Sequence, residues 1–131
     1  MLFRSYATLA TVPPDQAYGL LTAIDLKNGG KIVWQTKVKE ALVGGVLATA
    51  GRIVFAGEAN GHFNAFDAAT GKLLWTFQTG ANVGASAVSY AVNGKQYVAV
   101  ATGAAAPPDG TPLATGGLRP GGMVIAFALP Q

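Results

Sequence analysis

One stretch occurs twice in this chain, and its spacing constrains the fold more than any other feature. Ala23-Ile24-Asp25-Leu26-Lys27-Asn28-Gly29-Gly30-Lys31-Ile32-Val33-Trp34 returns as Ala65-Phe66-Asp67-Ala68-Ala69-Thr70-Gly71-Lys72-Leu73-Leu74-Trp75. The aspartates lie 42 residues apart and the tryptophans 41, so the first copy carries one extra residue in its middle. In each copy an alternating apolar run ends at Asp, a Gly-containing turn comes next, and a second β-rich run carries the Trp. An Asp at a strand end can accept hydrogen bonds from turn N–H groups. A Gly supplies the positive φ that such a turn requires. A Trp offers a broad apolar face and an indole N–H that can find a carbonyl. Structural roles therefore account for Asp25, Trp34, Asp67, Gly71 and Trp75, and leave little reason to read the aspartates as an acid/base pair.

The turns between the repeats favour strands. Leu20 and Ile24 sit at helical spacing, but the glycines and the β-branched, aromatic second half of residues 20–37 favour a hairpin. Residues 44–80 divide at their glycines into four short runs. Within them Phe63 and Ala65 alternate with His62, Asn64 and Phe66. Asn93-Gly94 suits a tight hairpin turn between residues 85–90 and 96–101. A period of roughly 40–45 residues with four strands per repeat is that of a β-propeller. The expected fold is all-β: about two and a half antiparallel blades, with a half blade at 18–37, a full blade at 44–80 and an incomplete last blade at 83–129. A degraded third copy lies at residues 123–128, where Ala128 stands in the Asp position. Residues 1–17 are read as an N-terminal segment outside the blades. Met1-Leu2-Phe3-Arg4-Ser5 fits no strand pattern and resembles a translated adaptor or the end of an upstream loop.

Composition excludes several classes. Half of the residues are hydrophobic and 11% are charged, which excludes a charge-rich disordered segment. The net charge of +3 comes without the dense basic stripe and interleaved aromatics of a nucleic-acid binder. No cysteine is present, so disulfides and thiolate metal sites are excluded. No apolar run approaches the ~20 residues needed to span a bilayer, and no secretory leader pattern opens the chain. His62, the one histidine, lacks ligands at metal-binding spacing and reads as a surface strand residue; Glu58 reads as a solvated turn.

The motif Ala-x-Asp-x-x-Thr-Gly-Lys-x-x-Trp at residues 65–75 resembles the tryptophan-docking motif of the pyrroloquinoline quinone (PQQ)-dependent methanol and ethanol dehydrogenases. Gly45-Val46-Leu47-Ala48-Thr49-Ala50-Gly51 and Gly94-Lys95-Gln96-Tyr97-Val98 are similar to two further stretches of that family, as is the ending at residues 125–130. The resemblance runs from about residue 18 to the end. It implies an eight-bladed propeller holding PQQ and Ca²⁺ near its axis, with alcohol oxidised by hydride transfer to the quinone. Electrons would pass on to a cytochrome c or a quinone. It also implies a periplasmic setting, and neighbouring blades that supply the calcium ligands and the aspartate base, whose motifs are missing from this chain. By the same resemblance Val43, Gly44 and Gly45, and Gly103 and Ala104, would contact the cofactor. Methanol dehydrogenases carry Trp at the Val43 position and a second Trp after the glycine-rich turn that begins at Gly103. Both are missing here, which points to a broader alcohol dehydrogenase. A non-catalytic propeller of the same repeat type, acting as a protein-interaction scaffold, is the alternative.

Overall fold

The computed structural model describes residues 1–7, 18–103 and 122–129. These form ten strands in three antiparallel sheets: β1 (Leu2–Ala7), β2 (Gly19–Asp25) and β3 (Lys31–Val38); β4 (Leu47–Ala48), β5 (Ile53–Gly57), β6 (His62–Asp67) and β7 (Leu73–Gln78); β8 (Val88–Val92), β9 (Lys95–Thr102) and β10 (Met123–Ala128). Within each sheet the strands lie in sequence order, each beside the next. That meander is the one expected of short strands joined by tight turns, and it confirms the all-β assignment.

The opening residues depart from the sequence reading. Leu2–Ala7 is a strand, with Leu2 opposite Ile24 and Ala7 opposite Gly19. It makes the first sheet three-stranded. The ring of Phe3 lies 5.9 Å from that of Trp34. Alternation over so few residues is too weak a signal to identify an edge strand that a neighbouring strand organises.

The repeat is repeated in the backbone. Ala23 faces Trp34 and Ala65 faces Trp75, and in both copies the register slips one residue further on, between Ala23 and Ile24 and between Ala65 and Phe66. Such a bulge sharpens the local twist just before the turn. The turns differ as their lengths require. The first runs through a 3-10 turn, Leu26–Asn28, and two positive-φ glycines, Gly29 and Gly30; the second needs Gly71 alone, at φ 72°. At the other predicted hairpin, Asn93 and Gly94 both adopt positive φ.

Alternation in the middle sheet divides its side chains between two cores. Val54, Ala56 and Phe66 pack with Leu21 and Leu42 against the first sheet, with Trp34 and Val38 at the margin. Phe63 packs with Val83, Ala87 and Val100 against the third sheet, joined by Phe55 and Phe127. Both faces of β5 and β6 are thus covered, while β7 stays exposed. The Trp34 indole donates to the Ala68 carbonyl at 3.1 Å, and the Thr36 hydroxyl donates to the Gly71 carbonyl at 2.7 Å. A Cβ on Gly71 would come within 2.5 Å of the Trp34 ring. Trp75 sits otherwise. It is 39% exposed and groups with Phe63, Phe77 and Phe127, its ring 5.2 Å from that of Phe127.

This packing can be tested at the turn and at the outer strands. Gly71→Ala places a Cβ both in the left-handed region and against Trp34; it should cost about 2–3 kcal/mol, measured by urea unfolding. The outer strands leave Val88, Tyr90, Val92, Leu73, Leu74, Met123 and Val124 exposed. The isolated chain is expected to self-associate, and a monomer at all concentrations in sedimentation velocity would contradict this.

Candidate functional site

Three connections converge where the middle sheet meets its neighbours: residues 39–46 from the first sheet to the second, the β5–β6 turn at residues 58–61, and residues 79–87 from the second sheet to the third. The β5–β6 turn binds both of the others. Ala59 N donates to the Ala41 carbonyl at 3.0 Å, and Val83 N donates to the Glu58 carbonyl at 3.3 Å. Gly57 has Val83 so close that any side chain would collide with it. Thr79 closes the far end, its hydroxyl within hydrogen-bond reach of the Gly61 and Ala81 carbonyls.

Glu58 is the residue that sequence reasoning misjudged. Read as a solvated turn, it is 5% exposed. One carboxylate oxygen accepts from Glu40 N at 3.0 Å and the other from the Asn64 amide at 2.6 Å. A buried carboxylate keeps its place only when donors replace water, and here one comes from a loop 18 residues away and the other from the next strand of the same hairpin. His62, read as a surface residue, is half-buried and lines a cleft of about 340 Å³ between the first two sheets, with Lys37, Lys39, Glu58 and Asn64 among its other walls.

The fold brings together most of the residues singled out as cofactor contacts. Gly44 packs on the carbonyls of Val83 and Ala85, and Gly45 on the Ser86 side chain; a Cβ at either would collide. Val83 in turn bridges to Gly103, whose N–H donates to the Asn82 carbonyl at 2.8 Å. Gly44, Gly45 and Gly103 therefore line one connection, residues 82–86, from its two sides. Val43 is 40% exposed beside them. Ala104, with the rest of the loop at residues 104–121, lies outside the described residues. The absent Cβ atoms of Gly44 and Gly45 make room for the protein's own backbone and Ser86. Local sequence could not reveal this, since a glycine doublet reads as a turn.

A family model described as the Glucose/ethanol/alcohol dehydrogenase, beta-propeller domain matches residues 3–98. The chain belongs to this PQQ family. A quinoprotein ethanol dehydrogenase of Pseudomonas aeruginosa is 42% identical over 121 residues, covering 89% of this chain and 19% of the relative. A 1-butanol dehydrogenase (cytochrome c) of Thauera butanivorans is 44% identical over 91 residues, covering 70% of this chain and 13% of the relative. A solved europium-containing methanol dehydrogenase matches with a TM-score of 0.70 and 31% identity, over 85% of this chain and 23% of that one. The chain spans about a fifth of the length of the ethanol dehydrogenase it matches.

Among the described residues, Gly44, Gly45 and Gly103 are packed on residues 82–86 of this same chain, with Val43 exposed beside them. No three His, Cys, Asp or Glu side chains of the described residues converge as metal ligands, and no helix among them is long and apolar enough to cross a membrane.

The aspartates of the repeat serve their turns. Asp25 accepts from Lys27 N and the Asn28 amide. Asp67 accepts from the Thr70 hydroxyl and from the N–H groups of Thr70 and Ala69. The Thr70 hydroxyl, with these N–H groups and the charge of Arg52, holds the Asp67 carboxyl below its ordinary value of 3.8 against a smaller opposing effect of desolvation. A carboxyl lowered in the folded state stabilises it fully above the unfolded value, and that contribution disappears as pH falls through the lowered one. The stability difference between the natural chain and Asp67→Asn should therefore narrow below pH 3.8. Parallel thermal melts between neutral and acid pH measure it; a constant gap would contradict the assignment.

Proposed function

We propose that this chain forms the last blades of a periplasmic PQQ- and Ca²⁺-dependent alcohol dehydrogenase that oxidises primary alcohols to aldehydes. The observation that carries the reading is the convergence of Gly44, Gly45 and Gly103 on one connection, in a chain 42% identical to a quinoprotein ethanol dehydrogenase over most of its length. When bound, PQQ supplies the acceptor for hydride from the alcohol carbon. The role of this chain's own residues is binding and shape. Val43 would present an apolar side chain to the cofactor where methanol dehydrogenases carry Trp. Gly44, Gly45 and Gly103 would offer it backbone. Calcium ligands and the aspartate base come from the remaining blades of the complete protein, and a cytochrome c or a quinone takes the electrons.

The test is made on the complete gene product. Reconstituted with PQQ and Ca²⁺, it should reduce an artificial dye with ethanol or 1-butanol, and Val43→Trp should raise KM for the longer alcohol several-fold with little change in kcat. If no alcohol supports dye reduction and no PQQ is retained on gel filtration, a non-catalytic, protein-binding propeller becomes the better reading.

A further inference from the structure

The geometry points to Glu58 as the positioning residue for the wall formed by Val43, Gly44, Gly45 and Gly103. Only the identity of what the wall faces rests on the proposed function; the positioning itself rests on contacts within this chain. The carboxylate holds Glu40 N at 3.0 Å, a few residues before Val43 in the same connection, and its second oxygen is tied to Asn64 at 2.6 Å on the central strand β6. The Glu58 carbonyl receives Val83 N at 3.3 Å, in the connection against which Gly44, Gly45 and Gly103 pack. One residue thus links both connections to the middle of the sheet.

The link is one of hydrogen bonds to backbone rather than of bulk. Glu58 is 5% exposed, and its carboxylate rather than bulk water satisfies Glu40 N and the Asn64 amide. Without the carboxylate, Glu40 N and the Asn64 amide lose their partner inside the protein. Residues 39–46 are then held to the β5–β6 turn by the Ala59–Ala41 bond and by packing. The wall loses its register before the sheets come apart, because Phe66, Val54 and Leu21, all outside residues 39–46, still bury the core between the first two sheets.

Hydrogen exchange by mass spectrometry on the complete gene product tests this, beside PQQ binding measured by absorbance. Glu58→Ala should raise exchange of residues 39–46 roughly tenfold and weaken PQQ binding by a similar factor. Glu58→Asp, which is one methylene short of spanning both partners, should do so to a smaller extent and guards against a variant that fails to fold. Glu58→Gln should restore both readouts, because its amide oxygen accepts from Glu40 N while a turned Asn64 amide accepts from its NH₂. Phe127→Leu, in the third sheet and with ring contacts to Phe63, Trp75 and Phe77 rather than to residues 39–46, should change neither. Unchanged exchange in Glu58→Ala and Glu58→Asp, or an equal rise in Phe127→Leu, overturns the positioning role. Loosened loops in a protein whose natural form binds no PQQ support the positioning role and overturn the cofactor reading alone.

Discussion

The contact on which the architecture depends is the seat of Trp34 on the turn of the next repeat. Short twisted sheets have two apolar faces and can bury them only against neighbours, so something must fix the angle and height at which one sheet meets the next. Here a flat indole rests on a turn that only a glycine, Gly71, can bring so close, and its N–H is spent on the Ala68 carbonyl. Thr36 adds a second bond to the same turn. The turn itself is organised by Asp67, which gathers the Thr70 hydroxyl and two N–H groups. Aspartate, glycine and tryptophan thus act across a sheet boundary as one device, although each reads locally as an ordinary turn or strand residue.

Once the first two sheets are so fixed, the connections between them are brought into contact at the β5–β6 turn. That turn supplies Glu58, which faces a loop on one side and a strand on the other, and a carbonyl for the connection to the third sheet. The glycines at 44 and 45 result from the same crowding. They stand where two connections touch, and any larger residue would strike Val83, Ala85 or Ser86.

Trp75 shows the limit of arguing by repeat. It has the same strand position, the same Ala opposite and the same bulge beside it as Trp34, yet it lies among Phe63, Phe77 and Phe127 and is part exposed. The third copy of the repeat has Ala128 where the other two have Asp.

Much of the fold could be read directly from the chain. The spacing of Asp and Trp, the positive-φ demand at Gly71 and at Asn93-Gly94, and the alternation of Phe63 with Phe66 are local, and local geometry decides them. Strand β1 and the burial of Glu58 could not be read in this way. An edge strand is made by its partner, here β2, and a carboxylate is buried only where donors from Glu40 and Asn64 have already been brought around it. The candidate site divides along the same line. Its glycines were visible as a pattern, but their reason, the close approach of Val83, Ala85 and Ser86 from the connection between the second and third sheets, arises only when residues some forty apart in sequence are packed together. Sequence alone determined the turns and the faces of the strands. Tertiary structure decided which polar groups would be deprived of water, because that depends on which surfaces meet.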